Sequence, residues 1–193
     1  MTDCKAGFND PVHDAQAVFR YALDAMAHPG LWYELRSMPQ VLPGFSPAAT
    51  ALALTLLDHE VGVWLGASAR RGVNALSLIT GARRVDRPDE ADFAFLAANE
   101  LDMLPVLAAG TAAAPELGAT VILEVDAASG DSGLICSGPG LAAPQRLLCS
   151  GLPEAFARQW WHQTNGWPCG RDIFLAASSS VAALPRTVTL EAA

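Results

Sequence analysis

Proton transfer, nucleophilic attack, Schiff-base formation and transition-metal binding run mostly through histidine, cysteine and lysine. This chain places those residues sparsely. His13, His28, His59 and His162 are scattered, with no H-x-H or H-x-x-x-H spacing and no cysteine pair beside any of them, so no metal ligand set is read. Cys4, Cys136, Cys149 and Cys169 form neither a CxxC pair nor a compact disulfide framework. The Leu-Ile-Cys-Ser and Leu-Leu-Cys-Ser settings of Cys136 and Cys149 are those of inert buried thiols, and only Cys169 has a cation, Arg171, close by. Lys5 is the single lysine; every other basic residue is an arginine. A guanidinium forks onto carboxylates and phosphates, but it forms no Schiff base and does not serve as a tunable amine base.

Phosphate-binding signatures are missing as well. The chain has neither G-x-G-x-x-G nor G-x-x-x-x-G-K-[ST]. The nearest feature is Ser137-Gly138-Pro139-Gly140, directly after an expected strand. Its backbone N–H groups could cradle an anion, although Pro139 removes one donor. The simpler reading is a tight turn against which another backbone packs. Gly66-Ala67-Ser68-Ala69-Arg70 begins like a nucleophile elbow but ends in Arg where the elbow needs Gly. Arg20, Arg186, Asp24 and Asp172 lie within or beside apolar segments, where charges usually pair with one another or with backbone at helix ends. His28 stands at the expected C-terminus of the first helix, a place the helix dipole favours for this residue type. If the chain binds a ligand, the candidate residues are His28, Gly138, Gly140, Asp172 and Arg186; no catalytic residue is assigned.

The elements that must position these residues follow from periodicity. Asn9-Asp10 offers a cap and Pro11 suits the first helical position. Ala15, Phe19, Ala22, Leu23 and Met26 then recur at helical spacing until Pro29-Gly30. Leu31-Trp32-Tyr33-Glu34-Leu35-Arg36 alternates like a strand. Ser46-Pro47 starts a second helix, apolar around its circumference through Leu57, which predicts burial. Strands are expected over 61–65, 91–96, 119–125, 133–137, 172–177 and 187–190, with helices over 100–108 and 153–164. The 119–125 and 133–137 strands, separated by Ser129-Gly130, read as a hairpin. On the last helix Phe156, Trp160 and Gln163 share one side. Trp160 and Trp161 diverge, so at least one is a candidate interface anchor. Ser178-Ser179-Ser180 reads as a strand exit leading into a cap. Irregular alternation of strands and helices predicts an α/β fold, a mixed β-sheet covered by helices, in one domain over 1–193.

Composition narrows the function. A net charge of −8 argues against a nucleic-acid partner. The apolar residues come in short runs, which argues against a membrane span, and no basic-then-apolar leader opens the chain. Together with the cysteine pattern these predict a cytoplasmic protein. Hydrophobic residues make up 51% and charged residues only 17%. A large core takes much of that excess, and a subunit interface could take the rest.

Several segments resemble the PhnH family of the carbon–phosphorus lyase system. They are Phe8-Asn9-Asp10-Pro11-Val12, Ala15-Gln16, Phe19-Arg20, Ala25-Met26-Ala27-His28-Pro29-Gly30, Ala53-Leu54-Thr55-Leu56-Leu57-Asp58, Ala91-Asp92, Gly138-Pro139-Gly140, Pro168-x-Gly170-x-Asp172 and Leu184-Pro185-Arg186-Thr187. The ordered set is specific where no single member is. Leu141, Trp167 and Val188 depart conservatively from the family pattern. The resemblance implies a subunit of the C–P lyase core complex with PhnG, PhnI and PhnJ. With PhnG, PhnI and PhnL it would support displacement of adenine from ATP by a phosphonate, giving ribose 1-phosphonate 5-triphosphate. It also implies a homodimer and a fold similar to PLP-dependent transferases without a PLP site or any other cofactor. The lone Lys5 agrees, since a PLP enzyme needs its Schiff-base lysine inside the core. The competing expectation is an enzyme in its own right, with a nucleotide- or phosphonate-binding cleft built from the GPG turn and arginines.

Overall fold

Local capping chemistry sets the helix boundaries in a computed structural model that describes residues 7–129, 133–164 and 166–193. The Asp10 carboxylate accepts from the backbone N–H groups of Val12 and His13, and Pro11 opens α1 (Pro11–Ala27). After β1 (Tyr33–Glu34), the Ser46 hydroxyl accepts from Ala49 N at 3.1 Å and starts α2 (Pro47–Leu56). β2 (Gly62–Leu65) leads to α3 (Val73–Thr80), which stops at Gly81 in the left-handed conformation, φ 77°. β3 (Arg83–Arg84), β4 (Phe93–Ala97), a 3₁₀ segment (Ala98–Val106) and β5 (Thr120–Glu124) follow. The remaining elements are β6 (Gly133–Ser137), β7 (Gln145–Leu148), α4 (Phe156–Thr164), β8 (Asp172–Ala177), β9 (Ser180–Leu184) and β10 (Thr189–Ala192).

Seven strands form a mixed sheet in the order β1-β9-β8-β5-β4-β2-β3, in which β3, β2, β4, β5 and β8 run parallel and β9 is antiparallel to both its neighbours. Successive residues of the central strands feed two different cores. Ile122, Phe95 and Phe174 face α1, α2 and α3, among which Val18, Ala49, Leu52 and Leu76 are buried. Val121, Leu123, Leu96 and Leu175 face the other way, toward Phe156 and Trp160 of α4 and the antiparallel β10-β6-β7 sheet. Burial on both faces explains why these strands read as continuous apolar runs.

The expected α/β class and mixed sheet agree with this architecture, while several local expectations need correction. The 119–125 and 133–137 strands do not form a hairpin. β5 lies between parallel partners β4 and β8, whereas β6 belongs to the small sheet. Short-range turn chemistry suggested that pairing, but parallel ladders on both edges of β5 leave it no free edge. The adjacent-strand hairpin is instead β8–β9. Ala177 pairs with Ser180, and Ser178 turns the chain in the left-handed conformation, φ 50°. Ser178 and Ser179 thus mark the expected exit from a strand, but they turn the chain into β9, which Ser180 begins, and not into a cap. The 31–36 strand shrinks to two residues, and α3, β3, β7 and β9 had no sequence counterpart. Trp160 is buried and Trp161 is 53% exposed, the expected divergence. Lys5, Cys4, Gly130 and the Gln163 side chain fall outside the described residues. Among those residues, no helix is long and apolar enough to cross a membrane.

Candidate functional site

Parallel α/β sheets usually take ligands at the carboxyl ends of their strands, where the strand order reverses. Here the chain leaves β2 for β3 on one side and returns to β4 on the other, so the reversal falls between β2 and β4. The loops that meet there already hold an anion, the side chain of Glu100. Its Oε2 accepts from Ala97 N and from the Ser68 hydroxyl, each at 2.9 Å, and its Oε1 accepts from Ala67 N. Burial raises the Glu100 pKa, but these hydrogen bonds from Ala97, Ser68 and Ala67 outweigh it and hold the carboxyl below its ordinary value. Gly66 makes the approach possible, because a Cβ there would lie 2.4 Å from Oε2. Alongside, at the ends of β4 and β5, a cavity of about 380 Å³ is lined by Asn99, Glu124, Asp126 and their neighbours, with no lysine or arginine in its wall among the described residues. Burial pushes the Glu124 carboxyl up, against the hydrogen bond it accepts from Ser46 N at 2.9 Å. The strand ends therefore present carboxylates where a nucleotide-binding sheet presents backbone donors and cations.

The five candidate binding residues gather in two adjoining groups. Asp172 opens β8 and Arg186 follows β9. Arg186 donates from its backbone N to Oδ1 at 2.8 Å, and from Nε and Nη2 to Oδ2 at 3.1 and 2.6 Å. Arg186 Nη1 reaches Pro115 O at 2.5 Å. With 14% and 24% side-chain exposure the two charges neutralise each other largely out of water. The second group centres on the Gly138-Pro139-Gly140 turn. A Cβ on Gly138 would sit 2.9 Å from Thr187 O, and one on Gly140 would sit 3.0 Å from Ala27 O. Both glycines have positive φ, 139° and 87°. The turn thus wedges between the end of α1 and the residues after Arg186. His28, at that helix end, is exposed, with Nδ1 3.0 Å from Asp24 O and 3.4 Å from Tyr33 Oη. Gly30 approaches Gln145 of β7 so closely that a Cβ would meet its Cγ at 2.7 Å. Motifs far apart in sequence therefore meet at one junction of α1, the small sheet and the 184–187 segment.

The sequence model of a family described as "Bacterial phosphonate metabolism protein (PhnH)" matches residues 6–191. The chain belongs to the PhnH family. It is 35% identical over 187 residues to "Alpha-D-ribose 1-methylphosphonate 5-triphosphate synthase subunit PhnH" of Rhizobium meliloti (strain 1021), covering 95% of this chain and 94% of the relative. It is 29% identical over 177 residues to HtxG of Stutzerimonas stutzeri, described provisionally as a C–P lyase subunit protein, covering 89% of this chain and 83% of that one.

In this PhnH-family chain, three functional-looking side chains escaped the sequence reading. Glu100 and Glu124 sit at strand ends, and only the reach of Glu100 back to Ala97 N had a local signal, that of a helix-start carboxylate. Arg171, in the gap of the Pro168-x-Gly170-x-Asp172 motif, is 8% exposed and bonds to the carbonyls of Leu107 and Pro105. Arg20 and Asp24, expected to pair, have no ion-pair partner among the described residues; both lie on the exposed side of α1. Burial pushes the Cys136 and Cys149 thiols up to about 12, which keeps them protonated and poorly nucleophilic at neutral pH.

Proposed function

We propose that this chain is a subunit of a phosphonate-processing assembly and contributes shape and contact surface more than reacting groups. The observation that carries this reading is the filled strand-end crevice. Glu100 occupies the backbone donors that a phosphate would need, and the neighbouring cavity wall carries Glu124 and Asp126. A triphosphate or a phosphonate is repelled there. The names of the two relatives, a synthase subunit and a C–P lyase subunit, support a role within a larger assembly.

On this reading the chain works in the cytoplasm beside PhnG, PhnI, PhnJ and PhnL. ATP and the phosphonate are handled by the assembly, with adenine as the product displaced. Residues 1–193 act as one domain, related in fold to PLP-dependent transferases but with no PLP site. Exposed Val12, Phe19 and Leu23 recur along α1 and, with Trp167, offer apolar surface for a homodimer and for partner subunits. A homodimer interface of standard size buries ~1,200–2,000 Å².

The test is affinity isolation of the tagged chain from cells grown on a phosphonate. Recovery of the other C–P lyase subunits in fixed ratio is expected. Recovery of this chain alone, fully active on ATP and methylphosphonate, overturns the proposal.

A further inference from the structure

A second cavity, of about 150 Å³, opens between the 3₁₀ segment and α4, on the sheet face opposite α1, α2 and α3. One wall is apolar, formed by Leu101, Leu104 and Pro105; the other carries Gln159 and His162 of α4 together with Arg171. Arg171 is the unusual member. It is only 8% exposed, yet no carboxylate lies within ion-pair distance among the described residues. Its Nε donates to Leu107 O at 3.0 Å, and its Nη2 donates to the carbonyls of Pro105 and Leu107. Nη1 has no hydrogen-bond partner among the described residues. Carbonyl dipoles orient the guanidinium, but they do not supply the negative charge that a buried cation normally has beside it. Burial accordingly pulls its pKa down.

A bare structural role leaves two features unexplained. A guanidinium needed only to tie down the carbonyls of residues 105 and 107 would not need to line a cavity, and a cavity needed only by loose packing would not need a cation in its wall. The volume is that of about five waters, which suits a small organic acid and excludes a nucleotide. Asp102, the one carboxylate at the wall among the described residues, is exposed and makes no ion pair with Arg171.

We propose that this cavity binds a small oxyanion bearing a short alkyl group, its oxygens on Arg171 Nη1 and its alkyl group against Leu101, Leu104 and Pro105. An alkylphosphonate and a short carboxylic acid share that chemistry. The site is separate from the acidic strand-end crevice, and the inference does not depend on the subunit role.

Methyl NMR of the full chain, titrated separately with methylphosphonate, propionate and inorganic phosphate at millimolar concentrations and low salt, tests it. Saturable shifts of the Leu101 and Leu104 methyl signals are expected with methylphosphonate or propionate, and whichever binds more tightly identifies the head group. Inorganic phosphate, lacking the alkyl group, should bind several-fold more weakly than methylphosphonate. Arg171→Gln should weaken binding more than about tenfold, the scale of one charge-assisted bond. Asp102→Asn, at an exposed position, should tighten it about two- to fivefold by removing a nearby negative charge. If Arg171→Gln does not fold, Gln159→Trp on the exposed side of α4 decides the matter: it should abolish the shifts while leaving the rest of the spectrum unchanged. Absence of saturable shifts with all three anions overturns the proposal, as do shifts that survive unchanged in a folded Arg171→Gln or Gln159→Trp variant. Equal affinity for inorganic phosphate and methylphosphonate overturns the alkyl part of it.

Discussion

The Glu100 clamp makes a quantitative prediction, because Gly66 and Glu100 occupy nearly the same space. The carboxylate takes three hydrogen bonds, two from backbone N–H groups and one from the Ser68 hydroxyl. A hydrogen bond to a charged group contributes ~1.5–3 kcal/mol when buried. Glu100 is only partly buried, so Glu100→Ala should cost about 2–4 kcal/mol in total. Gly66 does not sit in the left-handed region, so replacing it brings no backbone strain. Its substitution acts through sterics alone: a Cβ would lie 2.4 Å from Oε2, 2.8 Å from Cδ and 2.9 Å from Oε1. Gly66→Ala must therefore expel the carboxylate and should cost about as much as Glu100→Ala. In the double variant the Cβ enters space already vacated. Its stability should equal that of Glu100→Ala alone, a coupling of about 2 kcal/mol or more. Urea unfolding of the four proteins at pH 7 measures this directly. Additive costs would mean that position 66 and the Glu100 carboxylate do not compete for this space. pH supplies an independent check. The folded-state pKa of Glu100 is lowered, so its contribution is complete above the ordinary value of 4.5 and fades as pH falls through the folded value. The deficit of Glu100→Gln relative to the natural chain should accordingly shrink on acidification.

The other predictions concern the family motifs and the thiols. Removing either partner of the Asp172–Arg186 pair should destabilise by about 2–4 kcal/mol, while the double variant Asp172→Asn with Arg186→Met should cost less than the sum, in thermal or urea unfolding. Iodoacetamide at pH 8 should label Cys169 well before Cys136 and Cys149, whose pKa values of about 12 leave almost no thiolate; peptide mass spectrometry reads the order. His28→Ala should leave turnover of the reconstituted assembly within a few-fold, whereas loss of a general acid–base group costs ~10²–10⁴-fold. A loss of that size in a complex of unchanged composition makes this chain catalytic.

Elements with local signals were readable from sequence. Asp10, Pro11 and Ser46-Pro47 announce α1 and α2 because capping is chemistry within a few residues. β8 is an apolar run with Asp172 at its start, and its bounds were read correctly. Pairing was not legible. Whether β5 pairs with β6 or with β4 and β8 depends on contacts between distant segments, and a continuous apolar strand carries no register of its own. β3 has only two residues and its arginines are exposed, so it left no hydrophobic pattern. The same divide governs the site. The GPG turn was visible as punctuation, but its packing against Ala27 and Thr187 was not. Glu100 and Arg171 look like ordinary surface charges in sequence. Two of the three donors to Glu100 lie more than 30 positions away, and the acceptors of Arg171 lie more than 60 positions away.

On the proposed function, reaction belongs to the assembly and not to this chain alone. The most direct measurement is adenine release from ATP in the presence of methylphosphonate, by the purified chain, by the complete assembly, and by the assembly reconstituted without this chain. No release above the buffer rate is expected from the purified chain, with turnover by the complete assembly and loss of turnover when this subunit is left out. Sustained adenine release by the purified chain alone contradicts it.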